Sequence, residues 1–454
     1  MESMTVKEAA VAIGSAPQID AVFSEVCTDT RSIKPGCLFI AIKGENFDGH
    51  DFAAKALEQG AVAVVVEKNC GLGKQQLIVK STRQALLDLA GYYRRKFHIP
   101  VVGVTGSVGK TTTKDMTHVV LSSRFKTLKN EGNLNNEIGV PLTLFNLDST
   151  YEAAVIEMGM SHFGEISRIT AAVKPSIAII TNIGVSHIEN LGSRENIMRA
   201  KLEITESMRP SAPLILNGDD DLLSKYTDMT HPIVYFGIDG ECNTKAVDID
   251  LGSDETSFTA RFSDGVQRVT LPLSGKHSIY DALAAVSAGI VLGIDATDAA
   301  KALVDYKPSG MRQRVVRKSG ITFVEDCYNA SPDSQRAALE VLRGLDAKRR
   351  IAVLGDMKEL GEMGEQAHRE VGVAAANSNV DVLLCYGEMS RFIAEEGRAL
   401  GIKEVHTFDE KEALAGYLKE TLTEGDAVLF KASRAMKLEE IIHSVYEYLD
   451  GKDE

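Results

Sequence analysis

Seven consecutive residues, Gly106-Ser107-Val108-Gly109-Lys110-Thr111-Thr112, have the composition needed to hold a phosphate chain. They follow the β-branched run Val101-Val102-Gly103-Val104 and lead into a helical segment. Glycines let successive backbone N–H groups curl round phosphate oxygens, and the helix start adds positive potential. In such a loop Lys110 reaches the β- and γ-phosphates, and the Thr111 hydroxyl binds magnesium. The strict pattern asks for glycine where Val104 stands, so this is the variant T-G-x-x-G-K-T. The loop reads as an ATP site. A guanine-specific switch would carry Asn-Lys-x-Asp, and no Asn-Lys pair occurs in the chain.

Three regions supply the elements that must position this loop. The first runs to residue 98, with strand-like Leu38–Ile42 and Ala61–Val66 and a helical stretch at Thr82–Lys96. The second, 99–310, opens on the strand before the loop and offers further buried strands at Ala153–Ile156, Ile177–Ile180 and Leu214–Leu216. The third, 311–454, alternates the runs Ile321–Val324, Ile351–Leu354, Val382–Cys385 and Ala427–Phe430 with helical stretches. In Ser334–Leu345, Ala338, Val341, Leu342 and Leu345 fall on one helical face. Such alternation predicts an α/β chain, with a doubly wound, mainly parallel sheet in the last region.

At 44% hydrophobic and 25% charged, the 454 residues can fill several cores. The formal charge of −14 argues against a general nucleic-acid binder, since no basic excess neutralises phosphates. The six cysteines form no C-x-x-C pair, which points to packing roles in a reducing compartment. Met1–Pro17 reads as a first amphipathic helix, interrupted by Glu2, Lys7 and Glu8, and not as a signal peptide. No apolar run approaches the roughly 18 residues of a membrane span. A cytoplasmic monomer without membrane insertion is the expectation.

A second cluster lies downstream. Val155-Ile156-Glu157 puts a carboxylate at a strand end, Thr181-Asn182-Ile183-Gly184 ends another strand and leads to His187, and Lys201 follows. Taken singly these are ordinary: Glu157 could cap a neighbour, His187 could be structural, and Lys201 could be a solvated helix lysine. Together with T-G-S-V-G-K-T-T-T-K-D, Gly132–Leu144, Glu157-Met158-Gly159-Met160, Thr181–His187 and R-A-K-L-E-I, they resemble the Mur ligase family. The resemblance extends over essentially the whole chain. Thr28-Asp29-Thr30-Arg31, Pro35–Phe39, Gly44 and Asp48–Phe52 resemble its UDP-sugar-binding domain. Glu325–Ser334, Val353–Gly361 and Lys431–Met436 resemble the branch that adds a final dipeptide, and the D-N-P-R segment of many diaminopimelate-adding enzymes is missing.

That likeness implies three α/β domains: a small UDP-muramoyl-peptide-binding domain at 1–98, a central P-loop mononucleotide-binding domain at 99–310, and a C-terminal Rossmann-like domain at 311–454. It implies an ATP-dependent amide ligase of peptidoglycan precursor synthesis, joining D-alanyl-D-alanine to a UDP-N-acetylmuramoyl-tripeptide through an acyl phosphate. A ligase adding the third residue and a non-ligating P-loop ATPase are the alternatives. The implied catalytic set is Lys110, Glu157, His187 and Lys201. Thr111 and Glu157 would hold one magnesium ion, with His187 and Lys201, carbamylated by carbon dioxide, holding a second. ATP contacts would come from Gly106–Thr112, His277, Asp281, Arg312, Asp326, Tyr328 and Asn329. Substrate contacts would come from Thr28, Asp29, Thr30, Arg31, Gly49, His50, Asn135, Asn136, Thr181, Asp356, Lys431, Ser433 and Arg434. The chain departs from the family's H-N-x-x-N, reading His277-Ser278-Ile279-Tyr280-Asp281, and Ala432 replaces a usual glycine.

Overall fold

Parallel strands with buried β-branched residues organise the chain, and the helices between them bury one face each. The computed structural model describes residues 1–16, 19–44, 47–263 and 265–453; Pro17, where the expected first helix was to end, lies outside them. Two compact units emerge, one of 1–105, 124–178 and 202–212, the other of 106–123, 179–201 and 213–454. No helix among the described residues is long and apolar enough to cross a membrane.

The first unit opens with the helix Val6–Ala12, shorter than expected, closed at its start by a capping box between Thr5 and Glu8. A four-stranded parallel sheet follows in chain order: Val26–Cys27, Leu38–Ile40, Ala63–Val66 and Gln76–Ile78. The helix Thr82–Arg94 starts where the Ser81 hydroxyl accepts from Gln84 N–H, and it buries Leu86, Leu89 and Tyr93. Further along this unit, Val101–Thr105 and Thr127–Lys129 flank Ala153–Glu157, both parallel to it.

Arg94 ties this unit together. Its guanidinium is buried and donates to the carbonyls of Val173 (3.2 Å), Phe97 (2.6 Å) and Ile99 (3.0 Å). Burial pulls its pKa down to about 10, with a smaller push from Arg209. Tyr93 beside it donates to Leu147 O at 2.5 Å. The chain leaving the first region is therefore fixed to the helix Glu165–Val173 by one fork of donors.

In the second unit, Leu214–Asn217, Ile233–Gly237 and Thr244–Leu251 run parallel, and Thr256–Arg261 and Val266–Leu271 return as an antiparallel meander. The meander is absent from the sequence-based expectation because its strands alternate polar and apolar residues and lack a buried run. The last sheet has six strands in the order Arg314–Lys318, Ile321–Glu325, Asp426–Lys431, Arg349–Gly355, Val382–Tyr386, Glu404–Phe408. All are parallel except the first, which pairs antiparallel with Ile321–Glu325. The predicted doubly wound sheet is thus present, over a core that includes Phe323, Val353, Leu384, Leu414 and Phe430. Asp426–Lys431 comes last in the chain but sits between earlier strands. Register places Phe430 opposite both Glu325 and Val353, and Lys431 opposite Leu354. Asp326, Lys431 and Asp356 therefore emerge side by side at the carboxyl ends of the strands, where such sheets bind ligands.

Arg94→Ala leaves three carbonyls without their donor, two of them in buried contacts, and should cost about 3 kcal/mol of stability. Arg94→Lys should recover less than half of that, because an ammonium cannot reproduce the planar fork. Urea unfolding of the three proteins measures both.

Candidate active site

The phosphate loop is held from outside by the segment that ends the strand Ile177–Ile180. Ser107 N–H donates to Asn182 O (3.0 Å), and Val108 N–H donates to Asn182 Oδ1 (2.9 Å). Asn182 Nδ2 (3.1 Å) and the Thr181 hydroxyl (2.6 Å) both donate to Val108 O, and Gly184 N–H donates to the Ser107 hydroxyl (2.9 Å). Gly106 (φ 151°) and Gly109 (φ 84°) take backbone conformations that other residues resist. A Cβ on Gly106 would overlap the Thr181 hydroxyl, and one on Gly109 would lie 2.5 Å from Asp281 Oδ1. Thr181, expected to contact substrate, donates its hydroxyl to the loop and braces it. Asn182 makes more of that brace than any residue named from sequence, and its adjacency to Thr181 was the available signal.

Helix Lys110–Ser122 begins directly at the loop. Lys110 Nζ donates to Gly106 O (2.9 Å) and Ser107 O (3.3 Å), so the ammonium lies over the loop. Thr111 is buried in the first turn. Lys201 is only 2% exposed, so the solvated-lysine reading fails. Burial, and then the charge of Lys110, pushes its amine well below the usual lysine range. His187 takes a left-handed conformation (φ 64°), and its Nδ1 lies 2.5 Å from Glu359 Oε2. His277 Nε2 is 2.7 Å from Gln313 Oε1, and burial lowers its pKa. Ser278 donates to Gly275 O.

In the first unit, Glu157 is buried at its strand end. Asn130 pairs with its backbone through both amide groups (2.9 and 3.1 Å), and Asn135 Nδ2 donates to Oε1 (2.8 Å). Asn136 Oδ1 accepts from Ile138 N–H and Gly139 N–H at the start of the helix Gly139–Leu144. Asp29 caps the turn Thr30–Ser32 that follows Thr28, and it pairs with Arg31 (2.6 Å), whose side chain is 89% exposed. His50 faces inward, with Nδ1 2.6 Å from Asp48 and Nε2 accepting from Glu67 N–H (2.9 Å). A Cβ on Gly49 would lie 2.7 Å from Ile42 N. His50 and Gly49 thus shape their loop from within.

At the carboxyl ends of the last sheet, the buried ammonium of Lys431 donates to Asp326 Oδ2 (2.6 Å), Asp326 O (3.3 Å) and Asn329 O (3.2 Å). It fastens the loop Asp326–Asn329. The Arg312 guanidinium lies 3.9 Å from the centre of the Tyr328 ring. Asp356 pairs with Lys358 (2.8 Å) and accepts from Ser390 N–H (2.9 Å). Ser433 donates its N–H to Asp356 O and accepts from Lys358 N–H, and Arg434 pairs with Glu439. No three His, Cys, Asp or Glu side chains gather as a metal centre among the described residues.

The sequence matches three domain families in succession: "Mur ligase family, catalytic domain" over residues 22–102, "Mur ligase middle domain" over 104–289, and "Mur ligase, glutamate ligase domain" over 311–434. The UDP-N-acetylmuramoyl-tripeptide–D-alanyl-D-alanine ligase of Bacillus subtilis is 40% identical over 434 residues, 94% of each chain. That of Escherichia coli is 37% identical, covering 94% of this chain and 95% of its own. A crystal structure of MurF from Acinetobacter baumannii superposes with a TM-score of 0.92 at 31% identity, covering 98% and 99% of the two chains. MurF from Thermotoga maritima in complex with ADP gives 0.86 at 30% identity, over 94% and 98%.

Asn182→Ala removes a donor and an acceptor from Val108 and should raise the KM for ATP roughly tenfold or more. Phosphate release with ATP as the varied substrate measures it, and an unchanged KM would deny the brace its role.

Proposed function

The chain belongs to the Mur ligase family, and from that premise we propose that it joins D-alanyl-D-alanine to UDP-N-acetylmuramoyl-tripeptide at the expense of ATP. The observation that carries this reading is 40% identity to a ligase of that activity along 94% of both chains. The phosphate loop fits it. The γ-phosphoryl group passes to the terminal carboxylate of the tripeptide, giving an acyl phosphate and ADP. The dipeptide amine then attacks the acyl carbon, loses a proton, and phosphate leaves as the carbon–oxygen bond breaks.

The first step brings an anionic carboxylate to an anionic phosphate, so the main demand is charge neutralisation and alignment. Gly106–Thr112 offer backbone N–H groups and the helix start. Lys110, resting on the loop's own carbonyls, moves its ammonium to the β- and γ-phosphates when they arrive. Magnesium takes most of its ligands from water and phosphate oxygens and only one or two from protein, so a hydroxyl at Thr111 suits it without a preformed carboxylate cage. When bound, it supplies further neutralisation of the phosphates. We assign Thr111, Glu157, His187 and carbamylated Lys201 to the holding of magnesium.

Burial supports the carbamate. Carbon dioxide adds to a neutral amine, releasing a proton, and desolvation keeps the Lys201 amine neutral far more readily than an exposed one. For the substrates, the exposed Arg31, aligned by Asp29 beside Thr28 and Thr30, suits the uridine diphosphate end. Asn135, fixed on Glu157, and Asn136 suit the muramoyl peptide. Arg312, Asp326, Tyr328 and Asn329 suit the nucleotide, with Lys431 setting their loop. Asp356, Ser433 and Arg434 suit the dipeptide. The use of ATP and six free thiols support a cytoplasmic setting. The division at 98 and 310 is supported by the limits of the matched domain families.

Three measurements test the reading. Phosphate release from ATP should require both UDP-N-acetylmuramoyl-tripeptide and D-alanyl-D-alanine, and release indifferent to the dipeptide would refute the assignment. Protein equilibrated with ¹³C-bicarbonate should show a carbamate carbon resonance that Lys201→Ala lacks. That variant should lose activity by roughly 100-fold or more and regain part of it with a short-chain carboxylate. Full activity of the untreated variant would remove the carbamate.

A further inference from the structure

A carboxyl group is packed against the phosphate loop where a negative charge is unwelcome. Asp281 lies in the helix Lys276–Val291 and is 5% exposed. Its Oδ1 accepts from the Thr113 hydroxyl at 2.7 Å and occupies the space beside Gly109, 2.5 Å from where a side chain there would begin. Gly109 is the loop residue that directly precedes Lys110. Among the described residues no cation is in contact with Asp281. From the helix Lys110–Ser122, Lys114 pairs with Asp115 (3.4 Å), and Asp115 also accepts from Ser309 (2.5 Å). Lys110 leans on the loop carbonyls. From the segment after Leu303–Asp305, the phenol of Tyr306 is held protonated by burial and then by Asp115 and Asp281, while Arg312 opposes this. On its own helix His277 is engaged with Gln313, and Tyr280 with Asp219. Burial raises the Asp281 carboxyl to about 7, against a smaller lowering by the Thr113 hydroxyl.

We propose that Asp281 is a proton-linked positioning residue of the phosphate loop: it carries a proton while a nucleotide polyphosphate fills the loop, so nucleotide affinity falls as pH rises. The proposal rests on reading Gly106–Thr112 as a nucleotide site and adds to it a chain-specific pH dependence. Two anions sharing a dry corner cannot both stay ionised at low cost. An incoming diphosphate therefore raises the carboxyl's proton affinity further, and binding above the free-state pKa takes up a proton. The protonated acid keeps its Oδ1 acceptor for Thr113, so loop geometry is preserved. The sign follows: below about pH 7 the proton is already present and affinity is flat, and above it affinity falls by up to tenfold per pH unit.

The test is calorimetric titration of the full-length protein with ADP and magnesium at pH 6 and pH 8, each in two buffers of different ionisation enthalpy. Wild type should take up close to one more proton at pH 8 than Asp281→Asn, and its Kd should rise between pH 6 and pH 8 while that of the variant changes little. The amide keeps the Oδ1 acceptor, and thermal melting at pH 8 should find it at least as stable as wild type. Wild type that binds ADP equally at both pH values without proton uptake overturns the proposal, whatever the variant does. Equal uptake by both proteins overturns it too. Failure to bind ADP even at pH 6 would instead sink the nucleotide-site reading itself.

Discussion

A phosphate-binding loop has to present backbone N–H groups to an anion while its carbonyls and bends are satisfied elsewhere. That requirement governs Gly106–Thr112 and the residues packed on it. Val108 is the clearest case: its carbonyl accepts from Thr181 and Asn182, and its N–H meets the Asn182 side chain. Removing the Asn182 side chain would leave the part-buried Val108 N–H without this acceptor and its carbonyl with Thr181 alone, at a cost comparable to a whole hydrogen bond. The two glycines follow from the same demand. They leave bare the faces of the loop against which the Thr181 hydroxyl and the Asp281 carboxyl pack. The loop is a composite, and its shape belongs as much to residues 181–184 and to Asp281 as to Gly106–Thr112.

Charged groups withdrawn from water recur through the chain, and each is accommodated by a different route. Arg94 remains a cation and spends its donors on three carbonyls. Lys431 has a carboxylate partner in Asp326 and two carbonyls besides. Lys201 is driven toward the neutral amine and Asp281 toward the neutral acid. In the first two the donors are taken up by protein partners. The last two leave a reactive or titrating group next to an anion site, which is the pattern that marks chemistry. Burial alone does not separate the classes; the nature of the partner does.

Much of this was legible in the sequence. The strand–loop–helix around Lys110 and the alternating runs of the last sheet have strong local signatures, and both stand as expected. Three things were not legible from local pattern, for a common reason. Lys201 was singled out only by resemblance: its helix carries Arg194, Glu195 and Arg199 nearby, which give it the look of a surface lysine, and only packing reveals which side is dry. His50 is named by its motif, and its engagement with Asp48 and Glu67 through both ring nitrogens shows only in the fold. Asn182 is unremarkable until the loop folds back on it. In each case the deciding partner is distant in sequence or hidden in a turn, beyond the reach of periodicity.

Lys431 shows how topology reassigns a role. As a sequence motif it belongs with Ser433 and Arg434 and suggests a hand extended to a substrate carboxylate. The last strand, however, enters the sheet between Ile321–Glu325 and Arg349–Gly355, which sets Lys431 beside Asp326 on one side and Asp356 on the other. Its ammonium then points its donors at the loop Asp326–Asn329 and has little left for a ligand. Arg312, proposed above for the nucleotide, is the cation displayed at that loop. Tyr328 holds its guanidinium by the face, so its donors stay in the plane and at the rim, where a planar fork meets an oxyanion best. The strand order thus turns one cation into scaffolding for the loop on which another is displayed.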